Sequence, residues 1–292
     1  MPDLRLHAPT TLGDATKILA DYGGDARAIA GGTALVLMLR QGLVKPAALV
    51  RLDRVAGLDS ISVEDGVLRL GALVTLQDVA MSATVRQRLP VLAETCNLVG
   101  NIRVRNAATV GGNVCEADYA SDPPGLLTAL NARARIQGPT GQRELLIADL
   151  ITDFYETSLE LDELVSDVLV PIPTFDTSAV YMKYVTRSAE DRPCVGTTAL
   201  IRTNGDGRIS ELRVAVGAVA GKPLRLPDVE ATAVGQQPTE ELFRELGQRY
   251  AAVSEPVSDA RGSAEYRRRM IGVFVRRALT EASAGHVGAR KV

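Results

Sequence analysis

Two short stretches of small residues decide how this chain folds: Ala30-Gly31-Gly32-Thr33 and Thr109-Val110-Gly111-Gly112-Asn113. A Gly-Gly pair can adopt positive φ and has no Cβ to block close approach, so its N–H groups can converge on phosphate oxygens. One such loop is most often a plain turn between a strand and a helix. Two on one chain predict a site that holds both phosphates of a dinucleotide.

The residues around the first stretch predict a small α/β unit. Thr11 and Asp14 have the spacing of a capping box that opens a helix. Short strands are expected on both sides of the glycine turn, at 26–30 and 47–52, with a helix capped by Thr33 between them.

The second stretch lies in a mixed region that ends at Pro171-Ile172-Pro173, where we expect a domain boundary. Residues 101–108 read as polar and extended, and lead into the second glycine turn. Beyond the prolines, Asn204-Gly205-Asp206-Gly207 predicts a hairpin. Ser263 predicts the start of a long C-terminal helix.

Composition excludes several classes of function. The 292 residues are 46% hydrophobic and carry 33 basic and 35 acidic residues, so nothing favours nucleic acid or a transmembrane segment. The first six residues lack a signal-peptide core, and we expect a cytoplasmic protein. The three cysteines form no C-x-x-C pair, and the two histidines, His7 and His286, lie near the ends of the chain. We therefore predict no metal ligands and no catalytic side chain, and any reaction needs an organic cofactor.

Several polar residues have an ordinary structural explanation. Asp122 precedes Pro123 and could simply cap a helix. Lys183 lies on a predicted strand, where a lone lysine usually faces solvent. The run Arg267-Arg268-Arg269 is expected on a solvated helix face or at a subunit contact, and the cysteines are expected to fill the core.

Five motifs occur together and in order: the two glycine stretches, Ser121-Asp122, Tyr181-x-Lys183, and Ser263-Ala264-Glu265-Tyr266-Arg267-Arg268. With these motifs the chain resembles the FAD-binding medium subunit of molybdenum hydroxylases, a family that includes xanthine dehydrogenases and carbon monoxide dehydrogenases. The resemblance covers nearly the whole chain.

The resemblance implies an α+β fold with a two-part FAD-binding domain of the vanillyl-alcohol-oxidase-like (PCMH) type, followed by a smaller α+β domain. The implied divisions are an N-terminal subdomain at 1–55, a second FAD subdomain at 56–175 and a C-terminal domain at 178–285.

The resemblance also implies which residues contact the FAD. Residues 28–35 and 109–113 would wrap its pyrophosphate. Asp122 and Val99 would contact the FAD elsewhere, Lys183 would lie near the isoalloxazine end, and Val165 would be a backbone contact. The full set of implied cofactor contacts is Ala28, Ile29, Ala30, Gly31, Gly32, Thr33, Ala34, Leu35, Val99, Thr109, Val110, Gly111, Gly112, Asn113, Asp122, Val165 and Lys183.

By the same resemblance the chain is an oxidoreductase subunit that receives electrons from [2Fe–2S] clusters and passes them to an external acceptor. The molybdenum cofactor would lie on a large partner subunit and the clusters on a small one, in a dimer of heterotrimers. The substrate would bind on another polypeptide. Two alternatives stay open: a self-sufficient FAD oxidase or reductase with the same flavin fold, and a binding module in which the glycine turns are only structural.

Overall fold

The computed structural model describes residues 4–188, 191–285 and 287–292, so Met1 to Asp3, Ala189, Glu190 and His286 lie outside the described residues. Three larger sheets follow one another along the described part of the chain, and two short strands within the second unit pair as a separate two-stranded sheet. Each of the larger sheets has its own cluster of buried apolar side chains, and helices cover the second and third of them.

The first unit is a three-stranded parallel sheet in the order β1-β3-β2. Its elements are β1 (Arg5–His7), α1 (Leu12–Tyr22), β2 (Ala26–Ile29), α2 (Leu35–Gln41) and β3 (Ala48–Arg51). The predicted cap of α1 is confirmed, because the Thr11 hydroxyl accepts the Asp14 N–H at 3.1 Å. The predicted cap of α2 is wrong: its N-cap is Ala34, so Thr33 stays in the preceding loop.

The second unit is a five-stranded antiparallel sheet in the order β4-β5-β10-β6-β7, packed against helices. Its elements are β4 (Ile61–Glu64), β5 (Val67–Gly71), α3 (Leu76–Met81), α4 (Ala83–Arg88), α5 (Pro90–Asn97), α6 (Ile102–Arg105), α7 (Val110–Glu116), α8 (Asp122–Ala129), β6 (Arg133–Gly138), β7 (Gly141–Leu146), α9 (Ile147–Leu150), β8 (Ile151–Asp153), β9 (Glu156–Thr157) and β10 (Leu164–Pro171).

Two expectations for the local structure of this unit are wrong. The segment expected to be extended contains the short helix α6, because the Asn101 side chain accepts the N–H groups of Arg103 and Val104. The second glycine pair forms no turn with positive φ. It lies in the first turn of α7, which the Thr109 hydroxyl caps by accepting the Gly112 N–H.

The third unit is a five-stranded sheet in the order β14-β13-β12-β11-β15, with the helices α11 and α12 packed against each other and α12 packed on the sheet. Its elements are β11 (Thr177–Tyr184), β12 (Val195–Thr203), β13 (Ile209–Gly217), β14 (Leu224–Arg225), α10 (Pro227–Ala231), α11 (Glu240–Val253), α12 (Ala264–Ser283) and β15 (Gly288–Lys291). The predicted hairpin and the Ser263 cap are confirmed. Strand β15 runs parallel to β11 at the sheet edge.

The first arginine of the 267–269 run does not lie on a solvated face. Arg267 is fully buried, where its guanidinium donates to the Ala218 carbonyl at 2.9 Å and to Asp259 at 2.5 Å. A buried guanidinium needs acceptors on its N–H groups, and Ala218 and Asp259 provide two. Arg267 therefore ties α12 to the loops before it.

Candidate cofactor site

One large cavity, of about 830 Å³, is lined by residues from all three units. The first unit contributes residues 28–35, the second contributes the start of α7 and Asp122, and the third contributes Lys183 and Arg261. A volume of this size is typical of a pocket for a small molecule or a cofactor.

Every cofactor contact implied by the sequence lines this cavity except Val110. Val110 is only 5% exposed, and its N–H donates to the Val74 carbonyl at 2.9 Å. Its side chain belongs to the core between the second sheet and its helices. The structure thus brings together residues that are up to 155 positions apart, from Ala28 to Lys183.

The loop from β2 to α2 presents unused hydrogen-bond donors to the cavity. Among the described residues, no protein acceptor takes the backbone N–H groups of residues 31–35. Gly32 has φ +68°, which residues other than glycine rarely adopt. Successive unpaired N–H groups form a concave anion site, so this loop fits a pyrophosphate.

The start of α7 lines the same cavity but has few donors to spare. The N–H groups of Val110 and Gly111 donate to the carbonyls of Val74 and Ala72 at 2.9 Å each, and that of Asn113 to Thr109 at 2.8 Å. A Cβ at Gly111 would lie 2.6 Å from the Ala72 Cβ. The pair therefore allows α7 to approach the second sheet, and its outer surface forms part of the cavity wall.

Asp122 and Lys183 form a buried ion pair at the wall of the cavity. The Lys183 Nζ donates to Asp122 Oδ2 at 2.8 Å and to the Leu98 carbonyl at 2.8 Å. Tyr181 donates to Asp122 Oδ1 at 2.6 Å. Lys183 is 0% exposed and Asp122 is 3% exposed, so the expectation of a solvent-facing lysine is wrong. Removing either charge would leave the other buried and uncompensated, which typically costs about 3–5 kcal/mol.

Asp122 does not cap a helix. The N-cap of α8 is Ser121, and both oxygens of the Asp122 carboxylate are engaged by β11. Burial raises the pKa of Asp122, and Lys183 and Tyr181 lower it only in part, so the pKa stays above its ordinary value. Burial, and then the charge of Asp122, raises the pKa of Tyr181 well above its usual value. The tyrosine is therefore a neutral donor.

Charged residues that the sequence analysis did not select also line the cavity. Arg192 forms an ion pair with Asp118 at 2.7 Å, and Arg261 donates to the Tyr119 hydroxyl at 2.6 Å. These contacts connect the third unit to the segment between α7 and α8. Sequence periodicity could not have predicted these contacts, because the residues that make them lie in loops.

Two further residues of the cavity wall could have been found from the sequence. Cys115 and Glu116 lie one helical turn after the glycine pair on α7 and line the cavity with it. A Thr N-cap followed by a helix would have predicted this shared face. Burial raises the pKa of the Cys115 thiol to about 12, so at neutral pH it is an uncharged part of the wall.

The polar groups of the cavity fit FAD. Consecutive free N–H groups suit its phosphates, and the cationic Lys183 has one N–H beyond the two it uses inside the protein. The buried Asn113 Oδ1 has no hydrogen-bond partner among the described residues, and a ligand hydroxyl or amine would satisfy it.

The described residues offer neither a metal site nor a membrane span. They contain no group of three or more His, Cys, Asp and Glu side chains that could hold a metal ion. No helix in the described part of the chain is long and apolar enough to cross a bilayer.

Comparison with known families matches most of the chain to two models. Residues 2–173 match the FAD binding domain in molybdopterin dehydrogenase, and residues 180–282 match the CO dehydrogenase flavoprotein C-terminal domain. Together the two matches cover nearly the whole chain.

Individual proteins align with the chain from end to end. It is 31% identical to the carbon monoxide dehydrogenase medium chain of Hydrogenophaga pseudoflava, over 97% of this chain and 98% of that one. It is 31% identical to the nicotine 6-hydroxylase medium subunit of Paenarthrobacter nicotinovorans, over 97% and 99%. The solved carbon monoxide dehydrogenase from Hydrogenophaga pseudoflava superposes with a TM-score of 0.93 at 33% identity, covering 97% of this chain and 99% of that chain.

Proposed function

The chain belongs to the family of FAD-binding subunits of molybdopterin dehydrogenases, and on that premise we propose that it is the electron-transfer subunit of a heteromeric molybdenum hydroxylase. Its cofactor is FAD, and it is part of an oxidoreductase. In this proposal a large partner subunit holds the molybdenum cofactor, and a small partner subunit holds the [2Fe–2S] clusters. Electrons pass from those clusters to the FAD held here and on to an external acceptor.

The observation that carries the proposal is the composition of this cavity. Its wall includes five successive amides that have no protein acceptor among the described residues, and a buried lysine–aspartate pair. In the proposal, residues 31–35 bind the pyrophosphate, and Asp122 and Lys183 bind the flavin portion. Val99 and Val165 also line the cavity; in the proposal Val99 packs on the cofactor and Val165 contacts it through its backbone.

FAD would supply the redox chemistry, because a flavin accepts electrons singly and passes them on in pairs. The chain would supply binding and orientation. Lys183 is 0% exposed, so its charge lies away from bulk water. In this less polar environment a fixed charge interacts more strongly with a ligand than it would in water.

We propose the domain division 1–55, 56–175 and 178–285, which the separate family matches to 2–173 and 180–282 support. A dimer of heterotrimers in the cytoplasm stays part of the proposal. The names of relatives such as the 6-hydroxypseudooxynicotine dehydrogenase complex subunit alpha support a multi-subunit assembly.

The test is to purify the 292-residue chain and measure its cofactor content and its reduction by substrates. We expect one FAD per chain by absorbance, no iron or molybdenum, and no flavin reduction by aromatic or purine substrates. Adding the large and small partner subunits should make the flavin reducible by the substrate of the complex.

Two outcomes would contradict the proposal. Flavin reduction by a substrate with the metal-free chain alone would favour a self-sufficient oxidase or reductase. A chain that binds no FAD, although it folds and its partners assemble with it, would favour a binding module.

A further inference from the structure

Tyr181 lies behind the Asp122–Lys183 pair rather than on the cavity wall. It and Lys183 are two positions apart on β11, so both side chains lie on the same face of the strand. One donates to Oδ1 of Asp122 and the other to Oδ2. Tyr181 itself is 1% exposed and does not line the cavity. Its contact with the site therefore runs through the carboxylate.

The hydroxyl of Tyr181 occupies a space that the facing strand leaves open. Gly196 on β12 pairs with Lys183, and a Cβ at Gly196 would lie 2.7 Å from the Tyr181 hydroxyl oxygen. Gly217, the partner of Gly196 on the next strand, has nothing within 4 Å of its Cβ position. Of these two glycines, only Gly196 lies where a side chain would collide with the Tyr181 hydroxyl.

The contacts of Lys183 depend on the orientation of this carboxylate. An ammonium group has three donors, and the Leu98 carbonyl and Asp122 Oδ2 take two of them. The direction of the third is fixed only while both acceptors stay in place. Without the Tyr181 hydroxyl, Oδ1 would lose its donor, and the carboxylate could rotate about its Cβ–Cγ bond.

We propose that Tyr181 is a positioning residue of the cofactor site: it fixes the Asp122 carboxylate, which holds Lys183 so that its third N–H donates to an acceptor atom of the flavin. This inference rests on the proposed function, because it takes the ligand of Lys183 to be FAD. Tyr181 would act on the flavin without contact, through two hydrogen bonds.

Tyr250 offers a matched control in the third unit, away from the cavity. Its hydroxyl is also buried and lies within hydrogen-bond distance of two acceptors, the Val214 carbonyl at 2.9 Å and the Glu230 carboxylate at 3.2 Å. Glu230 in turn pairs with Arg225 at 2.9 Å. Tyr250→Phe therefore removes the same group from a similar cluster that does not line the cavity.

The test compares Tyr181→Phe and Tyr250→Phe in the full chain, with FAD affinity measured by fluorescence titration of the apo-protein and the flavin midpoint potential measured by dye equilibration. We expect Tyr181→Phe to weaken FAD binding about five- to tenfold, the usual effect of one buried hydrogen bond. The midpoint potential should become more negative, because Lys183 stabilises the electron-rich reduced flavin. Tyr250→Phe should leave both quantities unchanged.

A double-variant cycle tests the route through the carboxylate. If Tyr181 acts through Asp122, Tyr181→Phe should add nothing in an Asp122→Asn background. Additive effects on affinity and potential would overturn the inference, as would a Tyr181→Phe protein with the affinity and potential of the wild type.

Gly196→Ala keeps the tyrosine and displaces its hydroxyl. It therefore tests the positioning role of Tyr181 even if Tyr181→Phe does not fold. We expect weaker FAD binding and a lower potential for Gly196→Ala, and no change for Gly217→Ala. Equal behaviour of the two glycine variants would contradict the inference. Failure of the wild-type chain to bind FAD would instead contradict the proposed function, so the two failures are distinguishable.

Discussion

The two glycine pairs have the same sequence pattern and line the same cavity, but they differ in what they contribute. Gly31-Gly32 lies in an irregular loop and has one residue with positive φ. It begins five successive amides that no acceptor takes within the described part of the chain. Gly111-Gly112 lies in a helix, and its amides are already bonded to Ala72 and Thr109. The first pair therefore provides donors for a ligand, and the second provides close packing. A shared motif does not imply a shared role.

Gly31→Ala should have the largest effect of the substitutions that test this difference, and the effect should be on FAD binding. A Cβ at Gly31 would lie 1.7 Å from the Ala107 carbonyl oxygen, which is backbone and cannot rotate away. The loop would have to move, turning its free amides away from the cavity, and the purified variant should contain no FAD. Absorbance of the purified chain measures this.

A matched control is Gly13→Ala in α1, where the added Cβ has nothing within 4 Å. That variant should keep its FAD and gain roughly 0.5–1 kcal/mol of stability, because alanine favours a helix. Full FAD content in Gly31→Ala would show that the first loop is not the donor surface.

Gly111→Ala should have an intermediate effect, on stability rather than on binding. The new Cβ would meet Ala72 at 2.6 Å, and overpacking of this kind costs about 1–3 kcal/mol. The free energy of unfolding of the apo-protein, from urea titration, should fall by that amount, while FAD still binds at one per chain. Loss of FAD without loss of apo-protein stability would mean that both pairs cradle the ligand and would remove the distinction between them.

Thr109→Ala should have the smallest effect. Loss of an N-cap costs about 1 kcal/mol, and Thr239→Ala at the start of α11 should cost the same. Only Thr109 lines the cavity, and its hydroxyl donates to no acceptor among the described residues. FAD affinity should therefore fall a few-fold for Thr109→Ala and stay constant for Thr239→Ala, as measured by fluorescence titration. Identical affinities would leave Thr109 with a capping role alone.

The sequence predicts those elements that depend on local chemistry. The Thr11 cap and the hairpin at Asn204 to Gly207 need only neighbouring residues, and both are confirmed. The helical state of Gly111 could not be predicted, because the amides of Val110 and Gly111 donate to the carbonyls of Val74 and Ala72, which lie nearly forty positions earlier, just after β5. Tertiary contacts outweigh glycine's low helix propensity at this position.

In the candidate site, too, the sequence predicts some features and misses those that depend on distant contacts. The family motifs select residues that the fold gathers around one cavity, but they give no burial for Asp122 or Lys183 and no hydroxyl behind them. The expectation of a solvated Arg267 is wrong because one partner, the Ala218 carbonyl, lies 49 positions earlier, and the other, Asp259, lies in the irregular loop before α12. Partners of buried charges come from the packing of distant segments, which periodicity does not encode.

Strand β15 has a consequence for the order of events during synthesis. It completes the edge of β11, where the Lys183 carbonyl accepts the Val292 N–H at 2.9 Å and the Val292 carbonyl accepts the Val185 N–H at 3.2 Å. The ribosome therefore makes the amide-rich loop at 31–35 before the lysine, and the lysine before the strand that secures it. Domains generally fold as they emerge, the N-terminal one first. We expect a nascent chain stalled before residue 288 to lack a secured lysine, so that stable loading of the flavin waits until β15 has been synthesised.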